Sequence, residues 1–103
     1  MIAQVRIYTI NKGEMDAFLK HFTEEVKPLH DKLGIQITSM LVNRAQNEFI
    51  WVRTYADEAD RDAKTKAFQG APERAAMGRR LGGNVAKMEV RDVEVIGSVV
   101  PIA

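Results

Sequence analysis

Two stretches of the chain alternate at period two, and both divide into the same pair of unlike faces. In Ile2 to Ile10, Ala3, Val5 and Ile7 fall on one side, and Gln4, Arg6 and Tyr8 on the other. In Phe49 to Tyr55, Ile50, Val52 and Thr54 make a small β-branched face. Phe49, Trp51, Arg53 and Tyr55 make the other, aromatic with one cation. That second face is too hydrophobic for water and too polar for a dry core, so the rest of the chain is read by asking what covers it.

Between the two strands the period changes. Met15, Phe18, Leu19, Phe22, Val26, Leu29 and Leu33 recur at steps of three and four, which predicts an amphipathic helix. Asn11 with Glu14 three residues on resembles a capping box. Pro28 should kink the helix near Glu24 to Lys27, and Gly34 is placed to end it as the C′ residue. A second strand runs from Ile35 to Arg44, and Ala45-Gln46-Asn47 turns it into a hairpin with the Phe49 strand.

Beyond Tyr55, Asp57 can cap a helix with Glu58 in its first turn. Ala59, Ala63, Ala67 and Phe68 give it a thin apolar stripe. Gly70-Ala71-Pro72 breaks it, and Pro72 opens a short helix with Ala76, Met77 and Leu81 on its apolar side, stopped by Gly82-Gly83. The last strand runs from Val85 to Ile96. Its alternation slips after Val90, which predicts a bulge near Arg91-Asp92, and Val99 to Ala103 is a tail.

The order is β-α-β-β-α-β, a ferredoxin-like α+β sandwich with an antiparallel sheet and helices on one face. Residues 1–103 form a single domain. The expectation is that Val5, Ile7, Ile50 and Val52 face the helices and bury against Phe18, Leu19, Phe22 and Val26. Arg6, Tyr8, Trp51, Arg53 and Tyr55 then gather on the opposite, uncovered face. A second copy, sheet against sheet, would close a dimeric α/β barrel over them.

Composition narrows the function classes. The 103 residues carry a net charge of +1, which gives no reason to expect a nucleic acid or a membrane surface as partner. There is no cysteine, so disulfides and thiolate metal sites are excluded. No apolar run approaches a membrane span and no secretory signal is visible, so a cytoplasmic location is expected. His21 and His30 are the only histidines. Nine residues apart on one helix, they point to opposite sides and cannot share a metal, and no cofactor is expected. His21 reads as a surface residue; His30 reads as lying near the core edge or the dimer seam.

Arg6 and Arg53 are the sharper candidates. Two arginines on central strands can hold a carboxylate or an enolate-like ligand. Tyr8 and Tyr55 can donate hydrogen bonds, and Trp51 can stack on a ring. The rival reading has the arginines paired with acids such as Glu89 and the aromatics filling the barrel. An RNA-recognition module shares the element order and sheet aromatics. Against it, the third strand lacks the glycine-aromatic pattern, the hairpin connection is short, and the net charge is near zero.

Val5-Arg6-Ile7-Tyr8-Thr9-Ile10, Lys12-Gly13-Glu14-Met15, then Phe18-Leu19, Phe22, Pro28-Leu29 and Gly34 resemble the N-terminal signature of NIPSNAP-like proteins in the dimeric α/β-barrel superfamily. The match departs at Asn11, and Lys12-Gly13 lacks the family's proline. The resemblance implies a homodimer. The superfamily includes cofactor-independent monooxygenases, isomerases and proteins with no assigned activity. The expected function is binding of a small anionic or aromatic organic molecule by Arg6, Tyr8, Trp51, Arg53 and Tyr55. The alternatives are such an enzyme, or a packed-barrel scaffold or sensor.

Overall fold

The computed structural model describes residues 1–97, apart from the side chains of residues 79–82. Leu81 of the predicted apolar stripe and the Val99–Ala103 tail therefore lie outside the described residues. Strands β1 (Ile2–Ile10), β2 (Gln36–Asn43), β3 (Glu48–Tyr55) and β4 (Val85–Glu94) form one sheet in the order β2-β3-β1-β4, every neighbouring pair antiparallel. The connections carry α1 (Met15–His21), a π-helical turn (Phe22–Val26), α2 (Lys27–Lys32), α3 (Glu58–Gly70) and α4 (Pro72–Gly82). This is the ferredoxin-like α+β architecture with β1 and β3 central.

The helical segment from Met15 to Lys32 distorts where proline chemistry requires it. Pro28 has no N–H to give back to the preceding turn, and its ring crowds the carbonyl four residues earlier. The backbone widens over Phe22–Val26 into a π turn. Gly34, at φ 72°, ends α2 in a Schellman motif. The Ile35 N–H donates to the His30 carbonyl at 2.9 Å and the Gly34 N–H to the Asp31 carbonyl at 3.2 Å. The start differs from the expected capping box. The Asn11 side chain donates to the Gly83 carbonyl at 2.9 Å, tying the β1 exit to the end of α4, and α1 begins without a side-chain cap. Asp57 does cap α3, its Oδ1 accepting from the Asp60 N–H at 2.8 Å.

The face assignment is the reverse of the sequence expectation. The buried cluster under the helices contains Tyr8, Ile10, Phe49 and Trp51 with Met15, Phe18, Phe22, Val26, Leu29 and Met77; Val5, Ile7, Ile50 and Val52 are not part of it. The aromatic face is what the helices bury, and the small β-branched face turns away. Burial area explains the choice. An aromatic ring removes far more apolar surface from water than a valine or threonine, so the amphipathic helix is best satisfied by the wider face. Phe18 and Phe22 pack against Phe49 with ring centroids 5.1 and 4.7 Å away, and Phe22 stands edge-on to Trp51 at 5.0 Å.

The outward face carries Val5 and Ile7 of β1, opposite Val52 and Ile50 of β3, with Leu41 of β2 and Val93 of β4 beside them. Leu41 is 56% and Val93 40% exposed. The predicted bulge at Arg91-Asp92 is not there: pairing with β1 runs unbroken from Lys87 to Glu94, and the irregularity falls at Ala86. The apparent slip in alternation arises because β4 is apolar on both sides: Met88 and Val90 share the side of Tyr8 and Arg6 but stay exposed at the sheet edge, and Val93 is on the outer face. No described helix is long and apolar enough to cross a membrane.

Candidate functional site

Register builds the site. Pairing of β1 with β3 sets Gln4 opposite Arg53, Arg6 opposite Trp51 and Tyr8 opposite Phe49, all on the helix-covered face. The polar members of that face therefore lie toward one end of the aromatic core and have helices above them. Between sheet and helices is a cavity of about 490 Å³. Its floor is Gln4, Arg6, Tyr8, Trp51, Arg53 and Met88. Its walls are Phe18, Phe22 and Val26 on one side, and Thr65, Phe68, Gln69, Arg74 and Met77 of α3 and α4 on the other.

Trp51 is 3% exposed and has two guanidiniums within cation–π distance. The Arg53 guanidinium carbon is 5.0 Å from its ring centroid and that of Arg6 5.6 Å. Cation–π attraction and the aromatic walls hold both arginines against the ring. The hydrogen bonds of these arginines go to neutral acceptors. Arg6 donates from Nε to the Tyr8 hydroxyl at 2.8 Å, from Nη1 to Gln4 Oε1 at 2.8 Å and from Nη2 to Met88 Sδ at 3.4 Å. Arg53 donates from Nη2 to the same Gln4 Oε1 and from Nη1 to His30 Nε2, the latter at 3.2 Å. Arg53 Nε and Trp51 Nε1 are buried with no partner among the described residues. No aspartate or glutamate is among the described lining residues.

His30 is completely buried. Its Nδ1 is 2.7 Å from the Val26 carbonyl oxygen, so that nitrogen carries the proton and Nε2 is the acceptor for Arg53. Burial, aided by the Arg53 charge, pushes the imidazole down to about 4. Burial also lowers Arg53, whose guanidinium nonetheless stays protonated.

The structure brings Arg6, Tyr8, Trp51 and Arg53 together at the cavity. Tyr55 is 2% exposed, and it is not among the described lining residues. The expected barrel between two copies is not where these side chains lie; they are covered by the helices of their own chain. Glu89 is no partner of the arginines. It stands on the outer face opposite Ile7, paired with Lys87 at 2.7 Å and Arg91 at 3.4 Å. Sequence reasoning missed Gln4, which shares parity with Arg6, and placed His30 at an edge rather than beneath Arg53. Phe68 was read as part of the thin apolar stripe of α3 but not as a site residue, and Gln69 and Arg74 carried no signal on the polar sides of α3 and α4. Among the described residues no cluster of His, Cys, Asp or Glu is suited to a metal.

The family model described as NIPSNAP matches residues 3–93. The chain belongs to the NIPSNAP family. Solved NIPSNAP structures share its fold. A NIPSNAP domain protein from Burkholderia xenovorans is 19% identical, with a TM-score of 0.87 over 98% of this chain and 99% of that one. A NIPSNAP family protein from Agrobacterium tumefaciens is 25% identical, with a TM-score of 0.81 over 91% of this chain and 84% of that one. The NIPSNAP fold also resembles a putative antibiotic biosynthesis monooxygenase from Nitrosomonas europaea, 10% identical, with a TM-score of 0.72 over 94% of this chain and 100% of that one. No curated protein matches the chain in sequence.

Proposed function

We propose that this NIPSNAP protein binds a small organic anion with an aromatic or similarly flat body, inside the cavity of each subunit. The observation that carries this reading is the state of Arg6 and Arg53. Two guanidiniums, one of them buried, face a cavity of ligand size with neutral acceptors and no lining carboxylate among the described residues. A buried charge normally has a counter-charge, and a bound anion would supply it. Trp51 and Phe68 offer faces and edges for a ring. The cavity volume argues against a barrel filled only by its own side chains, as a scaffold would have.

In this reading the protein is a homodimer joined through the outer face. Val5, Ile7, Leu41, Ile50 and Val52 form an apolar centre, and Lys87, Glu89 and Arg91 put both signs of charge along one margin. A surface carrying both signs suits a two-fold contact with itself.

Titration calorimetry with benzoate as probe tests the binding. Wild type should bind, and Arg53→Met should lose at least about tenfold in affinity, since charge-assisted bonds to the anion disappear. Equal affinity in the two proteins overturns the reading. The second reading is a cofactor-independent monooxygenase or isomerase, supported by the fold shared with the Nitrosomonas europaea protein. Here Arg6 and Arg53 would stabilise an enolate or phenolate by charge alone. Oxygen uptake with a phenolic substrate, abolished in Arg53→Met, separates this from simple binding.

A further inference from the structure

Two cations converge on one uncharged oxygen. Gln4 Oε1 accepts from Arg6 Nη1 at 2.8 Å and from Arg53 Nη2. The other end of the same amide, Nε2, donates to Asp92 Oδ1 at 3.2 Å, which fixes which end faces the arginines. Asp92 itself stands at the rim, 3.8 Å from Arg61, and does not reach either guanidinium by a hydrogen bond. A neutral amide oxygen between two guanidiniums is a weak substitute. An anionic oxygen there gains charge-assisted bonds from both.

From this geometry we infer that the position of Gln4 Oε1 is the carboxylate subsite of the cavity, held by the glutamine as a placeholder until a ligand arrives. This rests on the ligand-binding reading above and makes it specific. The ligand is a carboxylate, its charged end taking the oxygen position between Arg6 and Arg53, its ring lying toward Trp51 and Phe68. The displaced amide stays anchored to Asp92. Arg53 Nε, buried with no described partner, is a further donor for the second carboxylate oxygen. His30 Nε2 keeps Nη1 engaged from behind and so holds the fork in place. His30 is a positioning residue.

The test builds the carboxylate into the chain. Gln4→Glu places an anion between the arginines, but its other oxygen would meet Asp92. The substitution is therefore made in an Asp92→Asn background, where the new amide can donate. Q4E/D92N should melt several degrees above D92N without any ligand, and that gain should vanish as the new carboxylate is protonated at low pH. Its affinity for benzoate should fall on the order of tenfold or more, because the subsite is already filled. A melting temperature unchanged or lowered by Gln4→Glu overturns the subsite. So does undiminished benzoate binding by Q4E/D92N, which leaves the general ligand reading standing. A wild type that takes up no carboxylate, tried as benzoate, phenylacetate and salicylate, overturns the subsite and the ligand reading together, even where Q4E/D92N is stabilised.

Discussion

The imidazole of His30 accepts a hydrogen bond from the guanidinium of Arg53, Nε2 to Nη1 at 3.2 Å. This is possible only while the ring is neutral, because the proton on Nδ1 is committed to the Val26 carbonyl at 2.7 Å. A second proton would face a buried cation. The link between helix and sheet therefore depends on pH.

The sign of that dependence is fixed. His30 titrates near 4 in the folded protein and close to 6.5 when unfolded. Below 6.5 the unfolded chain takes up a proton that the folded one refuses. Stability is complete above 6.5, falls as pH drops toward 4, and stops falling on this account below 4. One pKa unit is about 1.4 kcal/mol, so the loss should reach about 3 kcal/mol. Urea denaturation of wild type and His30→Leu at pH 7.5, 6, 5 and 4 checks this. The variant should be less stable at pH 7.5, having lost two buried hydrogen bonds, yet its profile should be flatter between 6.5 and 4. Parallel profiles would show that His30 is not the titrating group.

Trp51 and Ile50 are adjacent in sequence and should fail differently. Trp51 belongs to the subunit's own core, so Trp51→Ala should cost about 3–5 kcal/mol of folding stability. Ile50 faces outward. Ile50→Lys should keep the melting transition of the fold but convert the proposed dimer to a single chain in sedimentation velocity. The sequence reading set Trp51 on the face between two copies, and the observed faces move that role to the neighbouring residue. An Ile50→Lys protein that sediments with wild type would remove the outer face as the contact.

What could be read from the chain was its periodicity and its punctuation. The order of elements, the central pairing of β1 with β3, the distortion before Pro28, the Gly34 stop and the Asp57 cap all follow from local rules. The face of each strand did not. Period two says that Trp51 and Arg53 share a side, yet it is silent on which side the helices choose. The reading took the arginine as a sign of exposure. A guanidinium within cation–π reach of Trp51 and bonded to neutral acceptors can be buried, and so the cation travelled inward with its aromatic neighbours. The cavity walls were hidden for another reason. Phe68 and Arg74 sit on helices with only thin apolar stripes, and tertiary packing alone decides that these stripes lie over β1 and β3.

Gly34 and Asp57 allow a cleaner comparison of local terms. At φ 72° Gly34 has open space where a Cβ would stand, so Gly34→Ala meets no clash and carries only backbone strain. The expected cost is about 1 kcal/mol. Asp57→Ala removes the 2.8 Å bond to the Asp60 N–H and should also cost about 1 kcal/mol. The two sites are in different elements with no shared partner, so the double variant should lose about the sum of the two, within roughly 0.5 kcal/mol. Chemical denaturation of all three proteins measures it, and a large departure from the sum would mean that the α2 end and the α3 start are coupled.

Arg74 and Arg53 both line the cavity but differ in depth, which predicts different kinetic signatures for the proposed ligand. Arg74 is exposed, its guanidinium 5.7 Å from the Phe68 ring centroid, while Arg53 is buried. An exposed charge acts on a diffusing anion over a Debye length, about 8 Å at physiological salt, and is screened by added ions. Arg74→Gln should therefore slow benzoate association and flatten its dependence on salt, with little change in dissociation. A buried charge acts on the bound state. Arg53→Met should speed dissociation and leave the salt dependence of association as in wild type. Stopped-flow tryptophan fluorescence reads both rates, since Trp51 is the only tryptophan in the chain and lies on the cavity floor. Should Arg74→Gln alter dissociation as strongly as Arg53→Met, the exposed arginine holds the anion directly, and the charged end of the ligand lies at the mouth rather than between the strands.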